Sequence, residues 1–104
     1  VTIRSKYGAI RTKVDGIVFA SRKEAARYRE LKALASAGKI SRLELQPRWA
    51  LHAEGVKICE YRADFSYWVG GERIIEDVKG VRTAVYRIKK KWMKAEYGID
   101  VVEV

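Results

Sequence analysis

The sequence predicts a single α/β domain on a mixed sheet, ordered helix, three-strand meander, helix, strand, behind an N-terminal basic arm and hairpin. Three observations carry that prediction. Helical spacing of apolar residues occurs twice, at about Arg22 to Ala37 and at Thr83 to Glu96. Between those helices apolar and polar residues alternate through segments punctuated by Glu54-Gly55 and Gly70-Gly71. After Gly98 comes a last apolar run, and a strand, helix, strand crossover of this length places its second strand parallel in the same sheet.

The chain has 104 residues, the size of one small core, and its 48% apolar content is that of a globular protein. Residues 1–13 contain Arg4, Lys6, Arg11 and Lys13 and no acid, a composition expected of an arm that orders on a phosphate backbone. Val14-Asp15-Gly16-Ile17 then reads as a two-residue hairpin turn, because Asp-Gly tolerates the positive φ such turns require. Phe19 is expected to be buried behind it. Ser21 followed by Glu24 matches a capping box at the start of the first helix, and Gly38 is its stop signal. Tyr28, Leu31, Leu34 and Ala35 form its inward stripe, and Glu24 falls on that stripe, an unusual place for a carboxylate.

Lys39 to Gln46 reads as a connector stopped by Pro47. Trp49, Leu51 and Ala53 alternate as a half-buried strand. The next strand is read as long, with Tyr61, Ala63, Phe65, Tyr67 and Val69 on one face and Glu60, Arg62, Asp64 and Ser66 on the other. Residues 72–79 return antiparallel over Gly70-Gly71. In the second helix Val85, Ile88, Trp92 and Ala95 are expected inward, with Arg87, Lys89, Lys90, Lys91 and Lys94 outward or at the flanks.

Charge narrows the partners. The 22 basic and 13 acidic residues leave a net +9, which favours a polyanion, most simply nucleic acid. One cysteine, Cys59, allows no internal disulfide and suggests a reducing compartment. One histidine, His52, excludes a zinc cluster of the usual kind, and its face shared with Arg48 suggests a solvated role. No apolar stretch approaches a membrane span or signal h-region, so a cytoplasmic location without membrane contact is expected.

The candidate chemistry lies in Ala63-Asp64-Phe65 and Glu76-Asp77-Val78-Lys79-Gly80. Strand residues two apart share a face, so Asp77 and Lys79 point the same way, and Asp64 belongs to the strand one turn earlier. Two carboxylates and a lysine on one surface are what divalent-metal phosphodiester hydrolysis requires. Glu76 alternates to the opposite face, where a structural or charge-pairing role is expected.

The element order, with Asp64 and the tripeptide Asp77-Val78-Lys79, resembles the PD-(D/E)XK nuclease superfamily, whose core is the restriction-endonuclease-like αβββαβ fold. Lys6-Tyr7-Gly8-Ala9, the Asp15-Gly16 turn, Phe19-Ala20-Ser21, Glu24-Ala25 and Leu45-Gln46-Pro47 further resemble small phage-borne nucleases related to Holliday junction resolvases. The likeness spans nearly the whole chain. Ala63 departs from it, standing where the superfamily's name has proline, a position that contributes no ligand.

The resemblance implies a DNA endonuclease using Mg²⁺, with Mn²⁺ as a substitute. Asp64, Asp77 and the Val78 carbonyl would hold the ion, and Lys79 would polarise the attacking water. Glu24 would orient a water or a second ion, although its place in the capping box leaves a purely structural role equally open. DNA contacts are expected from Arg4, Lys6, Arg11, Lys13, Gln46, Arg87, Lys89, Lys90, Lys91 and Lys94. The implied substrate is a four-way junction or other branched DNA cut by a homodimer, and the implied setting is a phage protein in the bacterial cytoplasm. Flap or other nicking, a cleaving subunit of a transposition or restriction assembly, and a non-enzymatic basic nucleic-acid binder remain as alternatives.

Overall fold

Asp-Gly and Gly-Gly turns, where the backbone must take positive φ, set the hairpins from which the fold is built. The structure is a computed structural model, and it describes residues 2–4 and 10–104. Two compact units divide the chain, Val1–Lys39 and Ile40–Val104. Together they make a mixed α+β fold with two helices and a mixed sheet.

In the first unit β1 (Thr2–Arg4), β2 (Ile10–Val14) and β3 (Ile17–Phe19) form an antiparallel sheet, followed by α1 (Arg22–Ser36). Asp15 and Gly16 have φ of 52° and 77°, the left-handed pair that a tight hairpin demands. The stretch expected to be a free arm instead supplies two strands, with Thr2 opposite Thr12 and Arg4 opposite Ile10. Lys6 and Tyr7 lie outside the described residues.

Ser21 caps α1, its Oγ accepting the Glu24 N–H at 3.1 Å. The buried face of α1 is Glu24, Ala25, Tyr28 and Leu31, and Phe19 is buried as expected. Leu34, expected inward, is exposed, so the apolar stripe stops one turn early. The Tyr28 hydroxyl donates to Asp15 Oδ2 at 3.0 Å, tying the helix to the hairpin turn.

The second unit contains β4 (Ser41–Leu45), β5 (Arg48–Ala53), β6 (Val56–Arg62), β7 (Phe65–Val69), β8 (Glu72–Asp77), α2 (Ala84–Tyr97) and β9 (Val102–Glu103). Its sheet runs β4-β7-β8-β9, antiparallel except for the parallel β8–β9 pair, and β5 and β6 make a separate hairpin. The parallel return of the last strand agrees with the crossover expectation. The connector expected before Pro47 is instead the edge strand β4, irregular between Ser41 and Glu44, with Arg42 at φ 53°. That bulge breaks the alternation that would have identified it.

The long strand expected across Asp64 is also two strands. Ala63 and Asp64 separate β6 from β7, and the chain passes there from the hairpin into the mixed sheet. Ser66, assigned to a polar face, is buried alongside Phe65 and Tyr67.

Leu51, Tyr61, Ala63, Ile75, Tyr86, Met93 and Val101 form this unit's core, with Trp49, Cys59, Trp92 and Ile99 packed at its edge. Thr83 caps α2 through its Oγ, and Gly98, at φ 68°, closes it. The helix is rotated from its expected setting. Tyr86 and Met93 face inward, whereas Val85 and Ile88 are 61% and 58% exposed. Polar anchors explain the rotation. Tyr86 Oη donates to Glu103 at 2.8 Å, Trp92 Nε1 to the His52 carbonyl at 3.0 Å, and Tyr97 Oη to the Ala50 carbonyl at 2.6 Å. Hydrophobic spacing alone does not register such anchors.

Candidate functional site

The break between β6 and β7 brings Asp64 to the end of β8. Its N–H donates to the Glu76 carbonyl and to Asp77 Oδ1, both at 3.1 Å. Its Oδ2 accepts the Val78 N–H at 2.8 Å. Each aspartate is therefore tied to the backbone at or beside the other, a reciprocal clasp across the strand junction. Asp64 is half-buried and Asp77 is 1% exposed.

Lys79 lies two residues beyond Asp77 on the same side, as alternation requires. Its Nζ stands 3.5 Å from Asp77 Oδ2 and 4.0 Å from the centre of the Tyr86 ring. The ring's negative face holds the ammonium from the other side. The backbone is pinned here as well. Lys79 N–H donates to the Val104 carbonyl and Val104 N–H to the Asp77 carbonyl, which extends the parallel edge beyond Asp77.

Asp64, Asp77 and Lys79 are thus brought together. Glu24 is buried in the first unit at the capped end of α1. Gln46 has an exposed side chain, φ of 53°, and an N–H that donates to the Asp64 carbonyl at 2.9 Å. Its visible contribution is thus to hold the Asp64 backbone.

Sequence reasoning missed two tyrosines. Tyr61 is buried in the core, and its hydroxyl donates to Asp77 Oδ2. Burial, and then the bond to Asp77, push the Tyr61 phenol well above its usual range, so it stays a donor. Tyr86, which underlies Lys79, is pushed up by burial and by its bond to Glu103. A signal existed, since a buried tyrosine in an apolar stripe needs a partner for its hydroxyl. Glu103 in turn accepts from Arg82 Nε at 2.8 Å and from Lys90 Nζ at 3.2 Å, and these bonds, that from Arg82 first, hold its carboxyl down at about 2.

The expected basic face of α2 is only partly available. Lys90 is paired with Glu103, and Lys94 with Asp100 at 2.8 Å. His52, expected to be solvated, forms a 2.6 Å pair with Glu96, which also accepts the His52 N–H at 2.7 Å. A groove of about 430 Å³ is lined by Arg48, Glu60, Tyr61, Arg62, Lys79 and Lys89, among others, so the residues holding Asp77 also border open solvent.

Two carboxylates and a nearby main-chain carbonyl are hard oxygen donors, the set Mg²⁺ accepts while keeping its waters and a substrate phosphate. The residues present fit such an ion. Among the described residues no three His, Cys, Asp or Glu side chains gather into a larger metal-holding group. Also among them, no helix is long and apolar enough to cross a membrane.

A family model described as "Protein of unknown function (DUF1064)" matches residues 4–102. No curated protein and no solved structure matches the chain.

Proposed function

The chain belongs to the DUF1064 family, and we propose that it is a metal-dependent DNA endonuclease with a restriction-endonuclease-like core that cuts branched DNA, four-way junctions above all. One observation carries this reading: Asp64, Asp77 and Lys79 converge where β6, β7 and β8 meet, beside a cationic groove.

Asp64, Asp77 and the Val78 carbonyl would hold Mg²⁺, or Mn²⁺ in its place. The bound ion would supply Lewis acidity toward a phosphoryl oxygen. Tyr61 fixes the orientation of the Asp77 carboxylate. Lys79, positioned by Tyr86 and Asp77, polarises the attacking water and offsets negative charge as it builds on phosphorus.

Selectivity in this reading comes from DNA shape and backbone geometry. A junction offers two equivalent strands, which suits a two-fold homodimer with one site per subunit. The test is incubation of a synthetic four-way junction, a flap and a linear duplex, each with Mg²⁺ and with chelator. Symmetric, metal-dependent nicks in the junction support the proposal. Nicks confined to the flap would shift the substrate, and binding without product would refute the enzyme.

One observation favours a second reading, a basic nucleic-acid binder. Asp77 already accepts from Tyr61, Lys79 and the Asp64 N–H, bonds that also suit a purely structural lock between strands.

A further inference from the structure

We infer that the groove between the β5–β6 hairpin and the first turns of α2 is a phosphodiester-backbone site, where Arg48, Arg62 and Lys89 seat the strand running up to Lys79. This deepens the proposed function and rests on its DNA-binding part, but not on cleavage.

The hairpin register sets Arg48 directly opposite Arg62, both exposed. Like charges facing one another across a strand pair destabilise it, unless an anion lies between or above them. Trp49 and Tyr61, the next pair along, turn to the other face and stack with ring centroids 6.2 Å apart, so the hairpin itself is held by its apolar side. The arginines are not needed for that.

Three of the groove's cations have their charge uncompensated from within. Among the described residues Arg48, Arg62 and Lys89 make no ion pair, whereas the nearby cations Arg82, Lys90 and Lys94 are each bound to an acid. The one carboxylate lining the groove, Glu60, is 3.7 Å from Lys57 Nζ. The opposite wall contains Thr83 and Val85, at the positive end of the α2 dipole. The Thr83 Oγ is turned back to the Tyr86 N–H.

Lys79 and Tyr61, both in contact with Asp77, line the same groove, so a strand lying in it passes beside Asp77. The α2 C-terminal half is fastened to β5 at Ala50 and His52, which leaves this end of the hairpin as the opening. Backbone contact therefore falls on the hairpin and the start of α2, where Lys89 is the cation that the expected basic face of α2 contributes.

The experiment measures affinity of the full chain for a fluorescein-labelled four-way junction in chelator over a series of salt concentrations. The triple variant Arg48→Gln, Arg62→Gln, Lys89→Gln is compared with Arg29→Gln, Lys32→Gln, Lys39→Gln, which removes equal charge from exposed positions of the first unit. Each phosphate that the protein no longer neutralises flattens the slope of log K against log salt by about 0.7–0.9. The groove variant should flatten by roughly three such steps and the control by far less. Arg48→Lys with Arg62→Lys should restore most of the slope, since lysine still neutralises phosphate. Equal slopes in the two triple variants, or no junction binding by the unaltered chain, would overturn the site. A groove-dependent slope in a chain that never cuts in Mg²⁺ would leave the groove standing and remove the nuclease.

Discussion

Glu76 and Asp77 are neighbours in β8, both 1% exposed, and each accepts a tyrosine hydroxyl, from Tyr67 at 2.5 Å and from Tyr61 respectively. Alternation sends them to opposite faces of the sheet. On the Asp77 face a second aspartate, a lysine and an aromatic ring converge, and two of the residues touching Asp77 border a groove. On the Glu76 face the strand meets Phe65 and Tyr67 of the neighbouring β7. A buried acid with a tyrosine donor therefore does not by itself mark chemistry. Around Asp77 the structure gathers a second aspartate and a lysine, and two of its partners line a groove open to solvent.

The sharpest way to break this comparison is to neutralise each acid in turn. Asp77→Asn should abolish junction cleavage, and Glu76→Gln should retain it while lowering stability by about 1–3 kcal/mol through a weakened buried hydrogen bond. Gel-resolved nicking and chemical unfolding read the two effects. Cleavage lost equally in both variants would mean that the acids act only through the fold.

Next in size is the lysine. Lys79→Ala should slow cleavage about 10²–10³-fold, the usual effect of removing one group that stabilises developing negative charge. Junction affinity in chelator should change little, since only one of several cations facing phosphate is removed. Single-turnover kinetics separate the two.

The tyrosines refine the contrast further. Tyr61→Phe and Tyr67→Phe each remove a donor to a buried carboxylate, and each should lower stability by about 1–3 kcal/mol. Only Tyr61→Phe should also slow cleavage, by roughly 10–100-fold as for other groups that orient a ligand. Parallel loss of activity in both would show that stability, not orientation, is being read.

The smallest effect concerns acid. Glu103 is held down at about 2 from an ordinary value of 4.5, first by Arg82 and then by Tyr86 and Lys90. Its folded pKa lies below its unfolded one, so its contribution to stability is complete above about 4.5 and lost as pH falls toward 2. Glu103→Gln should flatten the stability profile in that window and leave its slope unchanged near neutrality. An unaltered acid limb would assign the stabilisation elsewhere.

The hairpin turns, the Ser21 cap, the Gly98 stop, the parallel last strand and the shared side of Asp77 and Lys79 were legible, because each depends on local rules: positive φ at glycine, Oγ capping, and two-residue alternation. The convergence of Asp64 with Asp77 was legible in outcome but not in route. Asp64 reaches the site through a break between two strands, not by alternation along one. Edge strand β4 was hidden by its bulge, and the rotation of α2 by polar anchors at Tyr86, Trp92 and Tyr97 that outweigh Val85 and Ile88. The cross-strand meeting of Arg48 with Arg62 needed the hairpin register, which the bulge between Leu51 and His52 shifts by one residue.

Manganese titration followed by electron paramagnetic resonance tests most directly whether the Asp77 face, and not the Glu76 face, holds an ion. The unaltered chain and Glu76→Gln should take up Mn²⁺, and Asp77→Asn should leave it free in solution. Uptake that survives in Asp77→Asn, or that is missing from the unaltered chain, would contradict the assignment of this site.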